Sequence, residues 1–287
     1  MSQLWRHQTK FFKPVKLTSC DMPNIQVTLT PAESKRLIAK AVAALPEVKR
    51  ALRQGTIVIG LGTTNARVAE ELLGKKIESE KFVAGAVLPK GTCVVPHERR
   101  IGNIIIRGGK LIKSKLDDIL LELTAGDVFI KGANALDASG TAGVLLASRR
   151  GGTLGRSLGT IMARGVTFII PVGLEKFIPG SIQRVSRTTG IFRVSYATGY
   201  PSGIMPIAGK VITELEAFEI LTGAGAIAMG KGGISGAEGS VTLLVQGTQK
   251  QLSKARKLVN GIKGEPGTKV ETNCRTCKLP DCWYRAR

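Results

Sequence analysis

Glycine, threonine and asparagine crowd into one turn of the chain, GLGTTN at residues 60–65, between the apolar run TIVI and the helix-like run ARVAEELLG. Gly60 and Gly62 let a backbone close on a ligand, and Thr63 and Thr64 offer hydroxyl donors beside Asn65. The helix that follows has free N–H groups at the positive end of its dipole. Those are the requirements for holding a phosphate or a carboxylate. The competing reading is a plain helix cap supplied by Thr64 or Asn65. The turn is neither a P-loop nor a dinucleotide fingerprint, because it lacks the Gly-Lys-Ser/Thr ending and the third glycine, and no nicotinamide or flavin motif is read.

Three further turns add charge. The stretch DVFIKGANALDASGTAG sets Lys131, Gly132, Asn134 and Asp137 just past an apolar strand, where an amine, an amide and a carboxylate could converge on a polar ligand. SRRGGTLGRS presents Arg149 and Arg150 ahead of Gly151, Gly152 and another helix start, and VGLEKFIPGS places Glu175 and Lys176 at the end of yet another strand. In this reading the first turn grips the phosphate and an arginine adds charge. Lys131, Asn134 and Asp137 face the reacting or recognised end.

A different chemistry is written at the end of the chain. NCRTCKLPDCWYRAR has Cys274, Cys277 and Cys282 in a C-x2-C-x4-C spacing. A C-x2-C turn aims two thiolates at one ion, and the third can reach it around a proline-bearing loop. The fourth ligand of a zinc site would be Cys20, Cys93, His97 or a residue of a partner, or an iron–sulfur cluster would keep one iron open. The competing reading is three unpaired thiols in a tail. Five cysteines so distributed make a poor disulfide framework, which suits a reducing compartment.

The elements that must present these turns alternate along the chain. Thr30, Pro31 and Glu33 open a helix broken near Pro46, and GTIVIGLG is a strand apolar on both faces. FVAGAVLP, NIIIRGG, KLDDILLELTAG, DVFIKGANALDA, GGTLGRSLGTIMARG and VTFIIPVGLEKFIPG then read as strand, strand, helix, strand, helix and strand. That pattern predicts an α/β fold, a mostly parallel sheet flanked by helices, with ligands at the carboxyl ends of the strands. After a Gly/Pro-rich link near Tyr200, residues 206–272 read as βαββαβ, the order of a smaller ferredoxin-like α+β domain. The expected organisation is a basic extension at 1–29, the α/β domain at 30–200, the small domain at 206–272 and a cysteine-rich tail at 273–287.

The order of these elements resembles the superfamily of ribose-5-phosphate isomerase A, bacterial sugar-phosphate sensors and coenzyme A transferases. IVIGLGTTNARVAEEL is similar to its phosphate loop, DVFIKGAN to the strand and turn that carry catalytic acids in the isomerase, and VTFIIPVGLEKF to a later strand ending in a ligand-facing lysine. The resemblance covers roughly residues 30–264 and implies a phosphorylated ligand. The isomerase acids are not matched: Asn134 and Ala135 stand at the turn, and TLGRSLGTIMARG contains no acid. A transferase would need a glutamate nucleophile, for which Glu238 in GGISGAEGSV is the candidate, against its reading as a solvated turn residue. If the chain is an enzyme, isomerase-like or transferase-like turnover would fall to Lys131, Asp137 and Glu238.

Bulk composition narrows the partners. There are 42 Lys and Arg against 21 Asp and Glu, a formal charge of +21, so polyanions are favoured. The leading expectation is a phosphorylated small molecule: a sugar phosphate, a nucleotide or a coenzyme A ester. The alternative is a nucleic-acid-binding or regulatory protein using the same fold as a scaffold. No apolar run approaches the roughly 20 residues that span a bilayer. A cytoplasmic protein with no membrane partner is expected, and uncovered sheet edges suggest a homo-oligomer.

Overall fold

The computed structural model describes residues 23–270 and 281–283. The first described elements are β1 (Asn24–Leu29), α1 (Pro31–Ala44) and α2 (Pro46–Gln54). Thr30 and Glu33 form the expected capping box, with Glu33 N donating to Thr30 Oγ1 at 3.3 Å and Thr30 N donating to Glu33 Oε2 at 2.9 Å. Pro46 begins α2, since the residue before a proline is driven out of the helical region. There follow β2 (Thr56–Ile59), α3 (Thr63–Leu73), β3 (Gly85–Leu88), β4 (Gly91–Val94), β5 (Ile104–Arg107), β6 (Lys110–Ile112) and α4 (Leu116–Glu122). The middle of the chain supplies β7 (Val128–Ile130), β8 (Ala135–Leu136), β9 (Ala142–Leu146), α5 (Gly152–Ala163), β10 (Thr167–Pro171) and α6 (Ile182–Thr188). The last elements are β11 (Gly203–Ile207), β12 (Lys210–Ile212), α7 (Glu214–Thr222), β13 (Gly225–Gly232), β14 (Ser240–Gln246) and α8 (Gln249–Ile262).

The central sheet has six strands in the order β12-β10-β7-β2-β5-β6. β12, β10, β7 and β2 are parallel, whereas β5 runs antiparallel to β2 and β6 antiparallel to β5. The α/β class is as expected, but the sheet is mixed. Side chains alternate between two cores, as the period of a strand demands. Ile57, Ile59, Val128, Ile130 and Ile169 meet α1, α3, α7 and α8 on one face. Val58, Phe129, Phe168 and Ile170 meet α4, α5 and a small sheet of order β11-β9-β8 on the other.

The expected ferredoxin-like domain is corrected. Its first strand, β12, instead forms the edge of the central sheet beside β10. β13 and β14 make a hairpin whose other neighbour is β1, giving an antiparallel sheet of order β1-β14-β13. The reason lies in complementary alternation: Ile25, Val27 and Leu29 pair in register with Val245, Leu243 and Val241, and Leu29, Val241, Leu243 and Val245 are buried in the same core as Ile57 and Ile59. Residues 268–270 of the expected last strand carry no strand. The small sheet and the central sheet thus share one core through α1 and α7.

Two glycines fix a crossing above the carboxyl ends of the strands. Gly91 at φ +119° and Gly199 at φ +96° bring β4 against residues 198–200, and a Cβ on Gly91 would sit 1.9 Å from Thr198 O. Thr92 N donates to Thr198 O at 3.0 Å, and Tyr200 N donates back to Thr92 O at 2.8 Å. Among the described residues no helix is long and apolar enough to cross a membrane.

Candidate functional site

A cavity of about 170 Å³ opens where β2, β7 and β10 end. The turn before α3, the β3–β4 hairpin, the turn after β7, Lys176 and Tyr200 line it. Its volume is below the roughly 300–1,000 Å³ typical of drug-sized ligands, so it suits a small metabolite.

The turn before α3 is built to leave donors free. Gly62 is the residue preceding the helix, at φ 159° and ψ 148°, and no side chain caps the helix. Gly62 N donates to Phe82 O, and Ala66 N is the first amide to return to the turn, donating to Gly62 O. The amides of Thr63, Thr64 and Asn65 therefore have no intrahelical acceptor. The plain-cap reading fails, because Thr64 and Asn65 lie inside the helix. Asn65 instead donates from Nδ2 to Gly60 O at 2.6 Å, while its buried Oδ1 has no partner. A Cβ on Gly132 would meet Pro171 O at 3.2 Å and lie 3.5 Å from that Oδ1.

Lys131 crosses the floor of this turn. Gly60 admits its arm, since a Cβ there would meet Lys131 Cδ at 2.7 Å. Its Nζ donates to Leu61 O at 2.8 Å. Burial, and after it the like charge of Lys176, push its pKa down to about 8. Lys176 Nζ donates to Ala133 O at 2.9 Å. Burial lowers its pKa too, with Glu175 and Glu214 pulling the other way and Lys35 adding to the fall. Glu214, fully buried, accepts from Leu174 N at 2.9 Å and so holds the turn that carries Lys176, and burial pushes its own carboxyl up. Among the described lining residues the carboxylates number none, and the lysines stand without an acid in the cavity.

Gly62, Thr63, Thr64, Asn65, Lys131, Gly132, Asn134 and Lys176 thus meet in one cavity, and Gly60 supports it from beneath. Asn134 uses Oδ1 to accept from Leu145 N at 3.1 Å, which leaves its amide nitrogen for a ligand. The other candidates lie elsewhere. Asp137 is buried and accepts from Ser139 N, Thr141 N and Ile182 N at 2.9–3.0 Å, so its carboxylate closes a loop. Arg149 is exposed, pairs with Asp281 at 3.0 Å and lies over the ring of Phe192. Arg150 is exposed, and Gly151 and Gly152 shape the entry to α5 at φ 70° and 60°, outside the cavity lining. Glu238 sits in an exposed turn, accepting from Gly236 N at 2.9 Å, and lines a separate cleft near Pro31.

Sequence reasoning missed Thr92, Cys93 and Tyr200 as lining residues. Glycines at positions 91 and 199 were their only sequence signal. Tyr200 donates from its hydroxyl to Asp281 Oδ2 at 2.9 Å; burial, then that bond, push its pKa up to about 12. Cys282 is half-buried beside this contact, while Cys274 and Cys277 lie outside the described residues, as does Cys20. His97 starts a helical turn after β4. Among the described residues no group of three or more His, Cys, Asp or Glu could share a metal.

Ion pairs set the position of α3. Arg36 on α1 reaches Glu70 at 2.5 Å and Glu71 and Glu265 at 2.9 Å, and Arg67 reaches Glu70 and Glu265 at 3.0 Å. Comparison of the chain with family models, with curated proteins and with solved structures returned no match.

Proposed function

We propose that the protein binds a small phosphorylated metabolite in this cavity, with the phosphate at the first turn of α3. The observation that carries the reading is the pairing of two partly buried lysines, with no carboxylate among the cavity's lining residues, with three helix amides that lack an intrahelical acceptor. A partly buried ammonium with no carboxylate in the cavity carries a desolvation cost, and a ligand anion would offset it. Amides of Thr63, Thr64 and Asn65 would donate to phosphate oxygens, Lys176 would supply charge, and Asn65 Oδ1 would accept from a ligand hydroxyl. The cavity volume favours a sugar phosphate over a whole nucleotide or coenzyme A ester. The resemblance of residues 57–72 to a sugar-phosphate loop agrees with this reading. With Asp137 and Glu238 engaged elsewhere, turnover would draw on the lysines.

Thermal-shift measurements against inorganic phosphate, sugar phosphates, nucleotides and coenzyme A esters test it. A ligand at a hundred times its dissociation constant adds about 2.7 kcal/mol of stability. A shift that Lys176→Met abolishes is the expected result. No shift, with tight nucleic-acid binding that weakens steeply in salt, would favour the second reading, which rests on the +21 charge. The tail thiols Cys274, Cys277 and Cys282 are proposed as zinc or iron–sulfur ligands, which metal analysis of the same sample checks. A homo-oligomer belongs to the same proposal, because β13 is an edge strand with Ile227 and Met229 exposed.

A further inference from the structure

The two lysines of the cavity are not equivalent. Burial lowers both, but Lys176 has Glu175 and Glu214 pulling back against Lys35, whereas the charged group felt by Lys131 is Lys176 itself. Lys131 shares its enclosure with the positive end of α3, which also disfavours an ammonium. Its Nζ donates one hydrogen to Leu61 O at 2.8 Å, and a neutral amine so held keeps its lone pair. Desolvation beside a second cation is how an amine becomes a nucleophile toward carbonyl carbon.

We infer that Lys131 forms a reversible imine with the carbonyl carbon of a small phosphorylated aldehyde or ketone whose phosphate lies at the first turn of α3. The inference rests on the proposed phosphate site and names the substrate class for it. Nζ attacks the carbonyl carbon, a C–N bond forms, and the carbonyl π pair moves to oxygen. That oxygen takes the proton shed by nitrogen, giving a carbinolamine. Its hydroxyl leaves as water with one further proton, and the nitrogen lone pair closes the C=N bond. Amine and carbonyl become imine and water, with no oxidant or reductant. Asn65, a lining residue, has a buried Oδ1 without a partner, which a ligand hydroxyl could satisfy once it displaces the atoms packed over it.

The test is borohydride trapping of the full chain with dihydroxyacetone phosphate, followed by intact-mass measurement and peptide mapping. One adduct per chain, mapped to Lys131, is expected. Dihydroxyacetone without phosphate at the same concentration should give at least tenfold less, and inorganic phosphate should compete. Lys131→Arg should lose the adduct while keeping a melting temperature close to that of the parent chain, and Lys176→Met should weaken trapping with Lys131 intact. Absence of the adduct while dihydroxyacetone phosphate still raises the melting temperature would overturn the imine and leave the binding site standing. Adducts spread over surface lysines, equal in the Lys131→Arg chain, would overturn it as well. Absence of both adduct and thermal shift would remove the imine and the phosphate site together.

Discussion

Lys131 costs the folded protein stability while its ammonium stays partly buried. An ordinary lysine holds its proton to about 10.5, and this one releases it near 8. Between those values the unfolded chain binds more protons than the folded one, so this group makes stability rise with pH through that window. At pH 7 the fold must keep the ammonium enclosed. Lys131→Met, which keeps the arm and removes the charge, is expected to stabilise the ligand-free protein at pH 7 by on the order of 2 kcal/mol, roughly 5 °C in Tm. The gain should shrink by pH 10, and a lower Tm for the variant at pH 7 would refute the assignment. Much of this site was legible in the sequence, since a glycine turn at a strand end before a helix marks Thr63 to Asn65, and Lys131, Gly132, Asn134 and Lys176 follow strands in the same way. What was not legible is which strand ends are neighbours. Asp137 carries the right chemistry, but local amides of Ser139 and Thr141 claim its oxygens. Arg149 likewise follows a strand, yet that strand is β9 of the small sheet, and the side chain turns to Asp281.

α3 presents the free amides, so its anchoring governs the site. Arg36 spans three carboxylates from two segments, Glu70 and Glu71 on the helix and Glu265 after α8. Removing it leaves partly buried acids facing one another. Arg36→Ala is expected to lower Tm by roughly 5 °C, on the order of 2 kcal/mol, as calorimetry would measure. Arg36→Lys should recover less than half, because one ammonium cannot reproduce the planar fork. A neutral Arg36→Ala would show that apolar packing of α1 on α3 suffices. The capping box of α1 and the helical runs of α1 and α3 were readable because their causes are local. The ferredoxin-like expectation failed because its decisive partner was remote in sequence: the strand whose alternation matches β14 is β1.

At the level of the whole molecule, the chain closes on itself. Among the described residues the first strand, β1, pairs with the last hairpin, and residues 281–283 return to the cavity rim. Trp283 N donates to Gly199 O at 3.1 Å, and its indole meets Tyr196 edge-on with ring centroids 5.4 Å apart. Tyr200, one residue beyond Gly199, lines the cavity and is tied to Asp281. The sequence contains two tryptophans, the other being Trp5. With Trp5→Phe, all indole emission comes from the cavity rim, and ligand entry that moves Tyr200 should change its intensity or wavelength. The molecule therefore carries its own optical reporter, and a fluorescence titration can follow the occupancy of the site in real time without any attached dye.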